Sequence, residues 1–475
     1  MKNWVVKILA LSMVLVLFVG CSGSDDSSDG PNDTVSNDTE EQTDTDSTES
    51  TDDASEGDTE EGSVYFLNFK PEIEEVWQKI AKEYTESTGV DVKVVTAAAG
   101  TYEQTLRSEI AKSDAPTLFQ INGPVGYESW KGYTKDLSDT DLYSWLLDKS
   151  LVVTGEDGGA YGIPYVVEGY GIIYNDAIMD QYFASASKST SYSSMDEINN
   201  FQALQAVVED MTAIKDELGI QGVFASTSFS TGEDWRWQTH LANLPIYYEF
   251  KDKGLGDAAE IDLTYGQEYK NIFDLYINNS ITKPTLLSSK TVNDSMAEFA
   301  LGQVAMVQNG NWGWGQINGV DGNVVAEEDV KFLPIYTGVE GEENQGLCTG
   351  TENFFSINSQ APEADQQASI EFIEWLFSSD EGKNYVTNEF GFIAPFNTFG
   401  DDETPTDPLA KEVLRYMADD SLTSVSWNFT AFPSQQFKDI LGYSLLDYAQ
   451  GTGDWDGVES AFVDGWKDEK AATAQ

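Results

Sequence analysis

The chain has 475 residues, 82 of them Asp or Glu and 26 Lys or Arg, for a formal net charge of −56 at pH 7. A field of that sign repels phosphate backbones and excludes nucleic-acid binding through general charge. The one histidine, His240, excludes a zinc site built on several imidazoles and makes a Ser-His-Asp triad a strained reading.

Lys2 and Lys7 precede an apolar run from Ile8 to Val19, too short for a membrane-spanning helix, which takes about 20 residues. The pattern predicts a processing signal over residues 1–20. Phe18-Val19-Gly20-Cys21 resembles the bacterial lipobox, which implies cleavage before Cys21 and a lipid on it. From there to residue 62 the chain is mostly Asp, Glu, Ser and Thr, with 16 acids, no Lys or Arg and almost nothing apolar. Such a segment buries too little apolar surface to order itself, so a disordered acidic tether is expected over 21–62. With Cys21 lipidated, Cys348 has no disulfide partner. The remaining body keeps 66 acids and 24 bases. Only three arginines occur, Arg107, Arg236 and Arg415, and this scarcity disfavours a strongly anionic ligand.

From residue 63 about 413 residues remain, enough for two lobes. Ser63 to Phe69 reads as a strand, and Pro71 opens a helix with Ile73, Val76, Trp77, Ile80 and Tyr84 on one face. Gly89 stops it. Val90 to Val95 is a second strand, Thr101 to Lys112 a helix striped by Tyr102, Leu106 and Ile110, and Leu118 to Ile121 a third strand. This alternation predicts a parallel sheet covered by helices. Ligands of such sheets bind beyond the carboxyl ends of the strands, which makes Asn68, Lys70 and Asn122 candidates. Further on, Tyr269 to Ile277, Phe437 to Tyr448 and Trp455 to Trp466 carry helical apolar stripes that read as core.

The stretch Glu298 to Gln316 runs from a helix end, broken at Gly302, through the apolar strand Val304 to Val307. It ends in Asn309-Gly310-Asn311-Trp312-Gly313-Trp314-Gly315. Glycines let a ligand approach the backbone, and an indole offers a flat apolar face with one N–H donor. That combination suits a sugar ring; ordinary core packing of Trp312 and Trp314 is the other reading of the same residues.

Several stretches, in order, resemble extracellular solute-binding proteins of ABC importers. Tyr161-Gly162-Ile163-Pro164-Tyr165 with Gly171-Ile172-Ile173-Tyr174-Asn175-Asp176 is similar to the segment that crosses between their lobes, with Asp176 where Lys is usual. Ala115-Pro116-Thr117-Leu118 is similar to their Pro-Asp-hydrophobic strand, with Thr117 in place of Asp. Glu298 to Trp314 resembles their Gly-x-Trp motif, Ile370 to Gly382 a late helix, and Phe390 to Pro395 the stretch after it. The overall spacing is similar to that of the maltodextrin-binding branch.

The resemblance implies an α/β fold of two lobes with the ligand cleft between them. Three hinge crossings are implied near Val167–Gly171, Asn344–Gly350 and Gly391–Pro395. Lobe one would be 63–168 plus 349–392, and lobe two 170–346 plus 394–475. Carried over position by position, the ligand-binding residues would be Asn68, Lys70, Asn122, Glu168, Trp235 or Trp237, Trp312, Glu352, Asn353 and Trp427, with Phe429 or Phe432 as substitutes for the last. The implied protein is a monomer, lipid-anchored at the extracellular face of the cell membrane. It would take a sugar or oligosaccharide to permease subunits, with no cofactor, no metal and no chemistry of its own. A non-sugar solute, a secreted glycan-active enzyme and a glycan adhesin are the other readings.

Overall fold

A computed structural model describes residues 62–98, 100–400 and 402–473. The signal, Cys21 and the tether through residue 61 lie outside the described residues. Strands β1 (Val64–Asn68), β2 (Val92–Thr96) and β3 (Leu118–Ile121) run parallel, with β1 between the other two. They are joined by α1 (Glu74–Thr88) and α2 (Tyr102–Glu109), as the alternation predicts. Pro71 opens a short 3-10 turn ahead of α1. Helix α1 buries Trp77, Ile80, Ala81 and Tyr84 on the sheet and stops where Gly89 takes φ 84°, a conformation glycine adopts without steric cost. The next helix, α3 (Gly123–Trp130), starts directly from the end of β3. The hairpin β4 (Val153–Thr154) and β5 (Ala160–Gly162) follows.

A second sheet is built from β6 (Glu168–Asn175), β7 (Gly222–Phe224), β8 (Val304–Gly310), β9 (Val330–Leu333) and β10 (Gln345–Gly350), to which β12 (Thr423–Ser426) adds an edge. Between β10 and β12 in the chain, β11 (Phe354–Ile357) returns to the first sheet and pairs antiparallel with β3. Strand β6 is central, antiparallel to β8, β9 and β10, and all eight of its residues are buried. A strand covered on both faces reads as a continuous rather than an alternating run, which is why Glu168 to Asn175 shows no period of two.

The chain passes between the sheets three times. Ile163 bridges Phe355 of the first sheet, and five residues later Glu168 pairs with Gly350 of the second. Thr351 to Asn353 carries the chain from β10 back to β11. The third passage runs beside the first, where Val167 N donates to Ile393 O at 2.8 Å. This is the two-lobe α/β arrangement with a cleft between lobes.

The helical stripes mostly fall as their spacing predicts. Tyr269, Ile272, Phe273, Tyr276 and Ile277 are buried, as are Trp455, Val458, Phe462 and Trp466. In Gln435–Gln450 the buried line is Phe437, Leu441 and Leu445, while Ile440 is exposed. A spacing of four keeps that line narrow and turns Ile440 to its flank. Trp314 is buried with Ile173, Phe299 and Leu347, behind the turn that carries Trp312. No helix among the described residues is long and apolar enough to cross a membrane.

Candidate functional site

Strand β1 ends in a local turn that aims Lys70. Asn68 Nδ2 donates to Lys70 O at 2.8 Å and to Thr96 Oγ1 at 3.2 Å, while Lys70 N donates to Asn68 Oδ1 at 3.1 Å. Asparagine side chains close such turns readily because they mimic a backbone partner. The turn brings Lys70 Nζ to 2.8 Å from Glu168 Oε1, the first residue of β6, and to 3.7 Å from Glu72. Lys70 is 5% exposed and Glu168 1%. Burial pushes the Glu168 carboxyl up, with Lys70 pulling against it. Burial also opposes charge on Lys70, but Glu168 and Glu72 outweigh it and hold the ammonium above its usual range. The two groups are therefore mutually dependent: each is buried, and each offsets the other's burial.

Beside this pair stands an aromatic cluster. Trp312 sits in the 3-10 turn Asn311–Gly313 at the end of β8, and Lys70 Nζ lies 5.7 Å from its ring centre. The turn is tied to β6 by Asn311 Oδ1, which accepts from Gly169 N at 2.9 Å. Gly310 is required here for space: a Cβ on it would run into the Trp312 ring. Trp312 lies 6.0 Å from Trp235, 5.5 Å from His240 and 6.5 Å from Trp427 between ring centres. His240 stacks on Tyr170 at 4.2 Å and is flanked by Phe429 at 5.3 Å. Gly350 has the same role beside Trp427, since a Cβ there would stand 2.5 Å from that indole. Burial pushes His240 well below its usual value, so its imidazole is neutral.

The first sheet reaches this region through β3. Asn122 precedes α3, and Gly123 abuts Thr430, in the Phe429–Ala431 turn that follows Trp427. At the second passage, Asn353 takes a positive φ of 59°, a conformation asparagine tolerates better than most residues. Glu352 beside it has its carboxyl pushed up to about 7 by burial, with Lys70 and Lys438 opposing and Glu168 adding to the rise.

The polar atoms of these residues share one property. Asn122 Oδ1, Glu168 Oε2, Arg236 Nε and Nη1, His240 Nδ1, Gln308 Oε1, Asn353 Nδ2 and Trp427 Nε1 are all buried without a hydrogen-bond partner. Each such group costs about 1–3 kcal/mol unless something pairs with it. The set mixes donors with acceptors, and it surrounds apolar rings. A ligand that matches it presents hydroxyls, which both give and accept, on a body with apolar faces. No group of three or more metal-ligating side chains occurs among the described residues.

Of the residues expected from sequence, Lys70, Glu168, Trp235, Trp312 and Trp427 come together, with Asn68 orienting Lys70. Asn122, Glu352 and Asn353 lie at the ends of strands that lead to the same junction. Trp237, offered with Trp235 for one position, is packed elsewhere: it is buried against Phe229 at 5.0 Å and donates to Thr227 O at 3.3 Å. Two residues apart on a helical turn, the two indoles face different ways. Sequence reasoning assigned no individual ligand contact to Tyr170, Arg236, His240, Gln308, Asn309 or Asn311. The polar run Gln308-Asn309 in a strand otherwise apolar is the signal that was available for two of them.

The family model described as bacterial extracellular solute-binding protein matches residues 79–412. No curated protein matches the sequence. Among solved structures, the solute-binding protein RafE in complex with raffinose is 17% identical, with a TM-score of 0.64 over 86% of this chain and 99% of that one. A chitin oligosaccharide binding protein is 16% identical, with a TM-score of 0.65 over 87% and 99%. A sugar transporter from Bacillus licheniformis in complex with stachyose is 15% identical, with a TM-score of 0.62 over 86% and 100%.

Proposed function

The chain belongs to the bacterial extracellular solute-binding proteins, and from that premise we propose that it is the carbohydrate-binding subunit of an ABC importer. The observation that carries this reading is the mixed set of unpartnered buried donors and acceptors around Trp235, Trp312 and Trp427. Flat rings bury the C–H faces of a sugar, and amides and carboxylates take hydroxyls that lose water on binding. Raffinose and stachyose, bound by two of the similar structures, are ligands of that kind.

In this reading Glu168 and Asn122 accept sugar hydroxyls, Asn353 and Trp427 donate to them, and Trp312 and Trp235 stack. Glu352 and Lys70 complete the polar wall. The lobes are 63–168 plus 349–392 and 170–346 plus 394–475, and they close about the hinge on ligand. The closed protein hands its ligand to a membrane permease. The lipid on Cys21 and the acidic tether keep a monomeric body at the outer face of the membrane, free to reach both solute and permease.

A thermal-shift screen of the protein against a glycan panel tests the function. A ligand that binds only the folded state at 100 times its Kd adds about 2.7 kcal/mol and raises the melting point. A panel in which amino acids, peptides or polyamines shift melting and no saccharide does would overturn the reading. Release of shortened product from a labelled oligosaccharide would replace it with an enzyme.

A further inference from the structure

Arg236 is one of three arginines in the chain and is 2% exposed. Its guanidinium lies 3.9 Å over the Trp235 ring, and Trp235 in turn stands beside Trp312. Nη2 donates to Asn309 Oδ1 at 3.0 Å, and Nε and Nη1 have no partner. No carboxylate among the described residues comes within ion-pair distance of it. The nearest acidic influences are Glu233 and, from the other lobe, Glu72. Burial without a counter-charge pushes the group down to about 9.

A guanidinium has five N–H donors arranged as two-donor edges. The bond to Asn309 uses one hydrogen of Nη2. Whichever hydrogen that is, one complete edge, either Nη1 with Nη2 or Nε with Nη2, stays free. That edge matches the two oxygens of a carboxylate, and a buried pairing of this kind is stronger than one between neutral groups. Hydroxyls and ring faces are served by the other groups of the site, and none of those needs an arginine. The Lys70 charge is already matched by Glu168 at 2.8 Å, whereas Arg236 has no ion pair among the described residues and keeps two unpartnered nitrogens.

Taking the cleft as a carbohydrate site, as proposed above, we infer that the ligand is an acidic saccharide, carrying a uronic-acid carboxylate that Arg236 receives. The scarcity of arginine argues against a polyanionic ligand. The position of Arg236 favours one carboxylate on an otherwise neutral sugar.

Calorimetry on the full protein with matched pairs tests this: uronate-containing oligosaccharides, each beside its carboxyl-reduced neutral counterpart. The acidic member is expected to bind at least about tenfold tighter, the scale of one charged hydrogen-bonded contact. Arg236→Gln should erase that difference and leave residual binding to both members, and Arg236→Lys should restore part of it. Equal or tighter binding of the neutral member overturns the inference and leaves the carbohydrate function standing. A preference for the acid that survives in Arg236→Gln also overturns it. Binding of neither member overturns the inference, and the glycan screen then decides the carbohydrate function. If Arg236→Gln does not fold, the pair measured on the unaltered protein decides.

Discussion

At one corner of the site Lys70 touches a carboxylate of Glu168 at 2.8 Å; at another, Arg236 lies on Trp235 with two of its nitrogens unpartnered. Both cations are buried beside Trp312, or beside its neighbour. The first is matched from within the protein, because β1 ends and β6 begins at the same junction of the two lobes. The second is set by one lobe alone, where the segment after Trp235 packs against the end of β8 and supplies only Asn309. A cation matched internally holds the site together. One left unmatched is free to select a ligand, at a cost in stability borne until the ligand arrives.

Breaking the matched corner should have the largest effect. Glu168→Leu leaves the buried Lys70 with only Glu72, at 3.7 Å, as a counter-charge, and urea unfolding should show a loss of about 3 kcal/mol. Adding Lys70→Met to that variant should recover most of the loss, since an apolar pair replaces the ionic one. Trp312→Ala comes next: calorimetry with the ligand found in the glycan screen should show binding weaker by about 1–3 kcal/mol in a folded protein. Unchanged affinity would remove Trp312 from the site.

Arg236→Met sharpens the contrast between the corners. It removes a lone charge and frees only Asn309 Oδ1, so its stability should stay within about 1 kcal/mol of the native protein. A loss as large as that of Glu168→Leu would show that Arg236 is matched after all.

A further test is of pH dependence. The Glu352 carboxyl sits at about 7 in the folded protein against an ordinary 4.5. The folded state therefore holds this proton after the unfolded chain has released it. Its contribution to stability is intact below about pH 4.5 and declines as the pH rises towards 7. Glu352→Gln, which stays neutral, should flatten that part of the stability profile, read as melting temperature at pH 5 and pH 8.

The two sides of the cleft also differ in how readily they were read. The first lobe is strand, helix, strand, helix, strand in unbroken order, and each apolar stripe faces the sheet that follows or precedes it. Asn68, Lys70 and Asn122 could be placed at strand ends before any coordinate was known. The second lobe draws its sheet from strands far apart in the chain: β6 lies between β8 and β10, with β12 at the edge. Trp235 and Trp237 could not be told apart there, because their spacing makes them alternatives and only packing against Phe229 or Trp312 separates them.

Periodicity determined which face of each helix is apolar, glycine and proline determined where most elements stop, and the order of motifs pointed to two lobes with Trp312 on a turn. Tertiary structure decided the rest: that Lys70 meets Glu168 across 98 positions, that Trp427 joins Trp312, and that Arg236 is buried without a carboxylate. The reason is physical. Backbone geometry repeats every two or 3.6 residues, so an element's own face is written locally. Which faces converge is set by long-range packing, and so is whether a buried charge finds its partner.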